Sequence, residues 1–272
     1  MNEEVRAIFS SFDIREIGFC AFDTVREHLL DCRAKSRIPQ GAKSIILCLF
    51  PYKVKEQAPR YISRYAAVPD YHSVCGPMLE RAAARLKERF PENRFAWFLD
   101  NSPIPEVYAA ACAGLGVRGE NGLLIHPRYG SWCFIGEVVT DLSLFCQNDS
   151  RDCMGCGRCR EVCPKNRYGT RCLSAVTQQK APLSKEEEEA LFREKLVWGC
   201  ELCAEACPLN KGAQITWIRE FINGYRDSFV PGEEIAGRAY AWRGENVVLR
   251  NARNLLEKEV QKPSESIEKG SE

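Results

Sequence analysis

Eight of the fifteen cysteines in this chain lie within residues 153–207, and their spacing limits what that stretch can fold around. One block reads Cys-x2-Cys-x2-Cys-x3-Cys-Pro and a second reads Cys-x2-Cys-x3-Cys-Pro, with Cys172 between them. In a reducing cytosol, so many thiols indicate metal or cluster ligation and not a disulfide framework. The other seven are expected to be small buried hydrophobes: Cys20, Cys32, Cys48, Cys75, Cys112, Cys133 and Cys146.

The spacing within the two blocks predicts a pair of [4Fe–4S] clusters. The first block has the bacterial ferredoxin pattern, in which three thiolates wrap one cube and the cysteine before proline turns towards the other. The second block is a near-copy with one ligand missing from its front. Crossing the ligands over predicts two sets, Cys153, Cys156, Cys159 and Cys207 for cluster one, and Cys163, Cys200, Cys203 and Cys172 for cluster two.

Zinc is the competing interpretation of these cysteines. Cys153 and Cys156 together with Cys200 and Cys203 could form a four-thiolate knuckle. That arrangement leaves the other four cysteines of the region and both Cys-Pro pairs without a role. The spacing therefore favours iron–sulfur clusters, which would pass electrons one at a time to another centre.

Charge and hydropathy exclude some classes of protein. The 272 residues include 38 basic and 37 acidic side chains, a formal charge of +1, so global charge does not indicate polyanion binding, although a local basic face remains open. No apolar run approaches the ~20 residues of a membrane helix, and the polar start does not resemble a secretory signal. We expect a cytoplasmic protein that does not enter membranes.

Apolar patterning before residue 150 is typical of an α/β or α+β layer fold. It predicts strands over 43–50 and 94–100, further strands in LLIHP and WCFIGEVVTD, and a helix within 74–90. Another helix is predicted over 103–113, with Ser102 as N-cap and Gly114 at its end. After the cysteines, residues 213–256 have a mostly helical pattern, and the last dozen residues are expected to be disordered.

Two features of the first half could carry chemistry. Six glycines between residues 114 and 136 fit simple turns, a nucleotide loop, or the wall of a large flat cofactor. Asp100 follows a strand and precedes a helix, so it is either a capping residue or a general acid at a ligand site. A polar cluster of Arg64, Tyr65, Asp70, Tyr71 and His72 is either a solvated loop or part of that site.

Several segments in order resemble one family, epoxyqueuosine reductase. They are GAKSIILCLFPY, RYAAVPDYH, LDNSP, AGLGVRGENGLLI, GSWCFIGEVVTD, the two cysteine blocks and VVLRNARNLL. The resemblance implies a cobalamin-dependent iron–sulfur reductase, related to reductive dehalogenases, that removes the epoxide oxygen from epoxyqueuosine at the wobble position of tRNA. It implies an α+β chain in which a nitroreductase-like, cobalamin-binding α/β domain precedes a ferredoxin-like domain and a short helical segment.

The resemblance also implies roles for individual residues. Asp100 matches the family's proposed proton donor, Cys172 matches a ligand of the second cluster, and Arg250-Asn251 matches an RNA-side motif. Residues expected to contact cobalamin are Arg64, Tyr65, His72, Asp100, Gly119, Asn121, Leu124, Ser131 and Ile135. The chain departs from the family in a short segment between Cys163 and Cys172 and in lacking most C-terminal helical repeats.

These considerations set the expected organisation and partners. The predicted units are a cobalamin-binding domain (1–150), a double-cluster domain (151–212), a helical segment (213–258) and a tail (259–272). Expected partners are a tRNA anticodon stem–loop and an electron donor such as a flavodoxin or ferredoxin, and the chain is expected to be a monomer. The missing repeats leave two alternatives, a corrinoid reductase of small molecules or organohalides, and a double-cluster electron carrier.

Overall fold

The structure is a computed structural model that describes residues 1–146 and 150–260. Its strands are β1 (Glu16–Ala21), β2 (Ser44–Pro51), β3 (Phe95–Leu99), β4 (Val117–Arg118), β5 (Leu124–Ile125) and β6 (Cys133–Thr140). Its first helices are α1 (Asn2–Ser11), α2 (Phe22–Val25), α3 (Arg64–Ala67), α4 (Tyr71–Arg89) and α5 (Glu106–Cys112). The later ones are α6 (Arg158–Glu161), α7 (Pro164–Tyr168), α8 (Leu173–Gln178), α9 (Lys185–Arg193), α10 (Leu202–Glu205), α11 (Arg219–Asn223) and α12 (Glu245–Val260). Short 3₁₀ helices lie at Arg26–His28, Arg33–Arg37, Pro208–Asn210 and Ala241–Arg243.

A four-stranded antiparallel sheet in the order β1-β2-β6-β3 forms the centre of the first half. Every residue of β2 is buried, because both faces of this central strand are covered. Ile46 and Phe50 point into the apolar cluster that contains α1 and α4, whereas Ile45 and Leu49 point into the cluster that contains α2 and α5. The strands predicted at 43–50 and 94–100 and the helix predicted within 74–90 are confirmed.

The antiparallel pairing changes the argument made for Asp100. Leu99 at the end of β3 lies opposite Gly136 of β6, so Asp100 sits where β3 ends and β6 begins. The rule that ligands collect at strand carboxyl ends applies to open parallel sheets and does not apply to this one. The position of Asp100 must therefore be judged from its neighbours.

The helix predicted over 103–113 is shorter than expected. It starts at Glu106, its N-cap is Pro105, and no side chain caps it. The prediction of a Ser102 cap is wrong because the Ser102 hydroxyl is engaged elsewhere, donating to Glu137 Oε1 and accepting from the Ile104 N–H at 3.0 Å. Gly114 follows the last turn with φ of +77°, as predicted for the residue that closes the helix.

Residues 213–258 are less helical than predicted, since α11 and α12 are separated by turns and one 3₁₀ helix. Ile218 and Phe221 return to the core that contains α1 and α4. Val248 and Leu255 of α12 pack against Ile62 and Trp198 in a separate cluster. The predicted unit boundaries stay a prediction. The predicted disordered tail (259–272) overlaps α12 at residues 259–260, and the rest of it lies outside the described residues. Within the described part of the chain, no helix is long and apolar enough to cross a membrane.

Asn251 joins α12 to both stretches that flank the later cysteines. Its fully buried Nδ2 donates to Thr177 O at 2.8 Å and to Val197 O at 2.9 Å. We expect Asn251→Ala to lower the free energy of unfolding by about 1–3 kcal/mol, because two buried carbonyls lose their donor. Asn254→Ala is the control, since half-buried Asn254 donates to one carbonyl, Glu188 O. Equal costs in chemical denaturation would contradict this role.

Candidate functional site

Four cysteines line one small cavity in the second half of the chain. They are Cys153, Cys156, Cys159 and Cys207, the set predicted for cluster one, and the remaining wall includes Gly119, Asn121 and Ile125. The structure therefore brings together three neighbouring cysteines of the first block and the last cysteine of the second block. Four thiols on one cavity provide the donor set of a [4Fe–4S] cluster.

The hairpin of β4 and β5 positions Cys153, the first cysteine of this set. Arg118 of β4 accepts the Cys153 N–H at its carbonyl oxygen, 2.9 Å away, and its own N–H bonds Arg151 O at 2.8 Å. The Arg118 guanidinium also contacts Asp152 at 3.0 Å. Gly157, with φ of +75°, turns the chain between Cys156 and Cys159 in a conformation that costs glycine little. The glycine-rich loop after α5 thus lies against the first cysteine set.

The other four cysteines form a second group. Cys200 lies close enough to three other thiols for their charges to raise its pKa, those of Cys163, Cys172 and Cys203. The charges of Cys163 and Cys172 raise the pKa of Cys203 in the same way. Burial raises the pKa of the Cys200 thiol to about 12, so this sulfur is protonated until a metal displaces the proton. The structure brings together the set predicted for cluster two.

Packing of α8 on α9 places Cys172 in this group. Cys172 is the N-cap residue of α8, whose Leu173 and Val176 bury against Ala190 and Leu191 of α9. On the other side, Gly199 precedes Cys200 with φ of +72°, and a Cβ there would lie 2.1 Å from Ser63 Oγ. A side chain at Gly199 would therefore collide with Ser63, in a backbone conformation that favours glycine.

The grouping differs from the zinc knuckle considered above, since the pairs Cys153–Cys156 and Cys200–Cys203 belong to different sets. Among the residues described, no three His, Cys, Asp or Glu side chains converge on a position for a single metal ion.

A larger cavity of about 970 Å³ adjoins the first set, sharing Ile125 and Leu209 with it. Gly114 and Gly116 form part of its wall, together with Val117. Its size and its glycine-containing wall suit a large flat cofactor that lies against the backbone. None of the nine residues predicted to contact cobalamin lines it, whereas Gly119 and Asn121 line the neighbouring cysteine cavity.

Asp100 lies among polar groups from α4 and the start of α5. Its side chain is 67% exposed, and its φ of +64° lies in the left-handed region. His72 Nε2 is 3.7 Å from Asp100 Oδ2, while His72 Nδ1 contacts Asp70 Oδ1 at 2.9 Å. The Tyr71 hydroxyl hydrogen-bonds the Asp100 carboxylate. The capping interpretation of Asp100 is wrong, because α5 begins without a side-chain cap.

The sequence pattern did not predict two glutamates behind Asp100, half-buried Glu106 and buried Glu137. The Glu106 carboxylate accepts a hydrogen bond from the Asp100 backbone N–H, and burial followed by the charge of Asp100 raises the pKa of Glu106 to about 8. Glu137 is fully buried on β6, and burial holds its pKa well above the usual range, with Glu106 adding to the effect. Glu137 could have been noticed in the sequence as the acidic residue within the otherwise apolar strand FIGEVV.

Comparisons with known proteins identify the family. A family model described as "Epoxyqueuosine reductase QueG, DUF1730" matches residues 34–101. The epoxyqueuosine reductase of Leadbetterella byssophila is 30% identical over a 219-residue alignment that covers 75% of this chain and 71% of the relative. This chain belongs to the epoxyqueuosine reductase family. It is therefore an oxidoreductase.

Other members of the family match most of this chain. The epoxyqueuosine reductase of Lactococcus garvieae is 28% identical over 301 residues, covering 92% of this chain and 85% of the relative. The epoxyqueuosine reductase structure from Streptococcus thermophilus superposes with a TM-score of 0.76 at 24% identity, over 94% of this chain and 80% of that one.

Two further epoxyqueuosine reductase structures each cover 94% of this chain and 80% of their own. One is in complex with an epoxyqueuosine-modified tRNA-Tyr stem loop, with a TM-score of 0.77 at 22% identity. The other, from Bacillus subtilis, has its catalytic aspartate loop swung out of the active site, with a TM-score of 0.73 at 22% identity. At these identities, the superpositions establish the mixed α/β fold of the family.

Several of the residues predicted to contact cobalamin bond to or pack against other parts of this chain. The buried Arg64 guanidinium bonds Glu201 at 3.1 Å, contacts Glu205 and donates to Glu56 O at 2.7 Å. Tyr65 is half-buried near Ser63, Ser174 and Trp198, and desolvation of its hydroxyl raises its pKa to about 12. These residues tie the 60–70 segment to the later cysteines.

The remaining predicted positions are also packed. Ser131 is buried and bonded to Asn210, three residues after Cys207. Leu124 is buried in the cluster that contains α5, and half-buried Ile135 packs against that cluster. In the motif expected to face RNA, Arg250 donates to Gln179 O and Ala181 O, so both Arg250 and Asn251 hold backbone carbonyls of this chain.

The Asp70–His72 contact gives a testable electrostatic prediction. The hydrogen bond from His72 to Asp70 raises the imidazole pKa, with smaller contributions from the charges of Asp70 and Asp100. Because the folded-state pKa is raised, this contact stabilises the fold below the ordinary histidine pKa, and the contribution is lost as pH rises through the folded value. We expect Asp70→Asn to lower the pKa of His72, measured by NMR titration of the three histidines. Asp100→Asn should lower it less, and an unchanged value in Asp70→Asn would refute the assignment.

Proposed function

We propose that this chain reduces the epoxide of epoxyqueuosine in the anticodon of tRNA to queuosine, using two [4Fe–4S] clusters and cobalamin. The observation that carries the proposal is the assembly of eight cysteines into two sets of four, one of them lining a single cavity, in a member of the epoxyqueuosine reductase family. Two such sets provide ligands for a pair of adjacent electron carriers.

The cysteines present fit two [4Fe–4S] clusters, and the cavity of about 970 Å³ beside the first set has room for a large flat cofactor, whereas the nine family-implied cobalamin residues do not line that cavity. Cys153, Cys156, Cys159 and Cys207 would hold one cluster, and Cys163, Cys172, Cys200 and Cys203 the other. Asn121 lies between the two sets, because it lines the first cavity and its side chain reaches the Cys203 thiol. Gly119 and Asn121 are the family-implied cobalamin residues nearest the clusters, beside the 970 Å³ cavity. When bound, cobalamin supplies the low-valent cobalt chemistry that breaks a carbon–oxygen bond.

The polypeptide contributes a proton and an arrangement of polar groups. Asp100 is the proposed proton donor to the departing epoxide oxygen, since it is the exposed acid at the edge of the sheet and the Bacillus subtilis enzyme has a catalytic aspartate loop. The Tyr71 hydroxyl hydrogen-bonds its carboxylate, and His72 Nε2 lies 3.7 Å from it. Its left-handed backbone turns the side chain away from β3, and the Glu106 carboxylate holds its backbone N–H.

The experiment that tests the proposal is turnover of an epoxyqueuosine-modified anticodon stem–loop by the full chain, reconstituted anaerobically with iron, sulfide and cobalamin. We expect loss of one oxygen atom from the modified base, detected by mass spectrometry, with a rate that falls as salt is added because phosphate contacts weaken. Reduction of the free epoxyqueuosine nucleoside at an equal rate would indicate a small-molecule reductase. No reduction of either substrate by fully loaded protein would reject the proposal.

A further inference from the structure

We propose that Arg64 raises the reduction potential of the second cluster by placing its positive charge beside the loop that carries Cys200 and Cys203. The inference rests on the proposed function, because it takes these two cysteines, with Cys163 and Cys172, as the ligands of that cluster. Arg64 acts through the loop that carries the ligands, so it is a positioning residue and not a catalytic one.

The backbone holds Arg64 against the ligand loop. Ile62 forms a parallel β-bridge with Trp198, and the Ser63 N–H donates to Trp198 O at 2.9 Å. The next N–H along the chain, that of Arg64, donates to Glu201 Oε1 at 2.9 Å. The Arg64 side chain therefore starts from a point that is fixed relative to the loop.

The Arg64 guanidinium binds both carboxylates of that loop. Its Nη1 donates to Glu201 Oε1 at 3.1 Å and forms an ion pair with Glu205 Oε1. Glu201 lies between Cys200 and Cys203 in sequence, and Glu205 lies two residues after Cys203. Elsewhere in the described residues, no lysine, arginine or histidine lies within 4.0 Å of either carboxylate. Arg64 therefore balances the negative charges that the ligand loop carries.

The guanidinium is buried. Arg64 is 3% exposed, its Cζ lies 4.8 Å from the centre of the Trp132 ring, and its Nη2 donates to Glu56 O at 2.7 Å. The Glu201 side chain is also largely buried, with 14% exposed. Salt screens buried charges much less than exposed ones, so the Arg64 charge acts on its surroundings at full strength. Because a buried ion pair adds little stability relative to apolar side chains of similar volume, stability alone does not account for this charge.

Charge near a cluster sets how easily the cluster accepts an electron. Reduction adds one negative charge to a [4Fe–4S] cluster and its thiolates, so a nearby positive charge favours the reduced form and a nearby negative charge opposes it. Without Arg64, the Glu201 and Glu205 carboxylates would lie on the ligand loop unpaired, and the added electron would be less stable there. Arg64 thus makes the second cluster easier to reduce.

The test is a redox titration of the full chain reconstituted with iron and sulfide, followed by electron paramagnetic resonance. The transition that is missing in Cys172→Ser belongs to the second cluster. We expect Arg64→Met to lower its midpoint potential, so that the ratio of reduced to oxidised cluster at a fixed potential falls about tenfold, a shift of about 59 mV for one electron. Glu201→Gln should raise the potential, because the amide oxygen still accepts from Arg64 while a negative charge is removed.

Two controls separate charge from packing. Lys53→Met removes another buried cation, whose Nζ also lies over the Trp132 ring, at 5.3 Å. Lys53 binds Glu56 at 2.8 Å and Ala213 O at 2.7 Å, outside the ligand loop, so its loss should move the potential less than Arg64→Met does. Arg64→Lys keeps the charge and should retain most of the potential, although an ammonium does not reproduce the guanidinium fork.

Opposite shifts in Arg64→Met and Glu201→Gln, at full iron content, would support the role of the Arg64 charge. Unchanged potentials, or shifts of the same sign in both variants, would overturn it, since a displaced loop would change both in one direction. If Arg64→Met takes up no second cluster, Glu201→Gln decides, and an unchanged potential there also overturns the proposal. The expected shifts in a protein that reduces no epoxyqueuosine would reject the proposed function alone, and unshifted potentials in an active enzyme would reject the role of Arg64 alone.

Discussion

Replacing Cys172 with serine is expected to reduce the iron content from about eight to about four atoms per chain and to stop reduction of the substrate. Cys172 lies outside both cysteine blocks, at the N-cap of α8, yet it shares the second group with Cys163, Cys200 and Cys203. A serine oxygen is a poor ligand for this kind of cluster, which selects soft thiolates. Losing one of two adjacent carriers breaks the electron path to the reacting centre.

The measurement is iron and sulfide analysis of the reconstituted protein, with electron paramagnetic resonance of the reduced clusters. Cys32→Ser is the matched control, since Cys32 is half-buried within the first apolar half of the chain and belongs to neither set. It should keep about eight irons per chain. A Cys172→Ser variant with the full iron content would remove Cys172 from the ligand set.

The cysteine sets could be predicted from the sequence because ligand spacing is a local property. Cysteines three positions apart in a loop reach the corners of one cube, and the cysteine four positions further on, Cys163 or Cys207, precedes a proline and turns to the other cube. Strand β2 could also be predicted from the sequence, since a continuous apolar run such as SIILCLF is typical of a strand buried on both faces.

Contacts between distant segments could not be predicted in this way. Ser102 was expected to cap α5, but its hydroxyl bonds Glu137, thirty-five residues away in sequence. Arg64 was expected to contact cobalamin, yet its guanidinium binds Glu201 and Glu205 beside the second cysteine set. The sequence around a serine is the same whether it caps a helix or bonds a distant strand. The sequence around an arginine likewise does not show whether it binds a ligand or another part of the chain. Only the fold distinguishes these roles.

Asp100→Asn is expected to lower the rate of epoxyqueuosine reduction about 10²-fold to 10⁴-fold while leaving both clusters and cobalamin bound. The amide cannot donate the proton that the departing oxygen requires. The fold should tolerate the change for two reasons. The Asp100 side chain is 67% exposed, and asparagine adopts the left-handed backbone at φ of +64° as readily as aspartate does.

The chain itself offers a matched control in Asp13, an exposed aspartate with φ of +61°. Asp13→Asn makes the same chemical change in the same backbone conformation, so it should leave both turnover and thermal stability close to those of the unmodified chain. The ratio of the two rates, measured on protein of equal iron and cobalamin content, therefore isolates the proton from any backbone effect. If Asp100→Asn reduced the substrate as fast as Asp13→Asn, the proton would have to come from another group, and His72, 3.7 Å from Asp100, would be the residue to replace next.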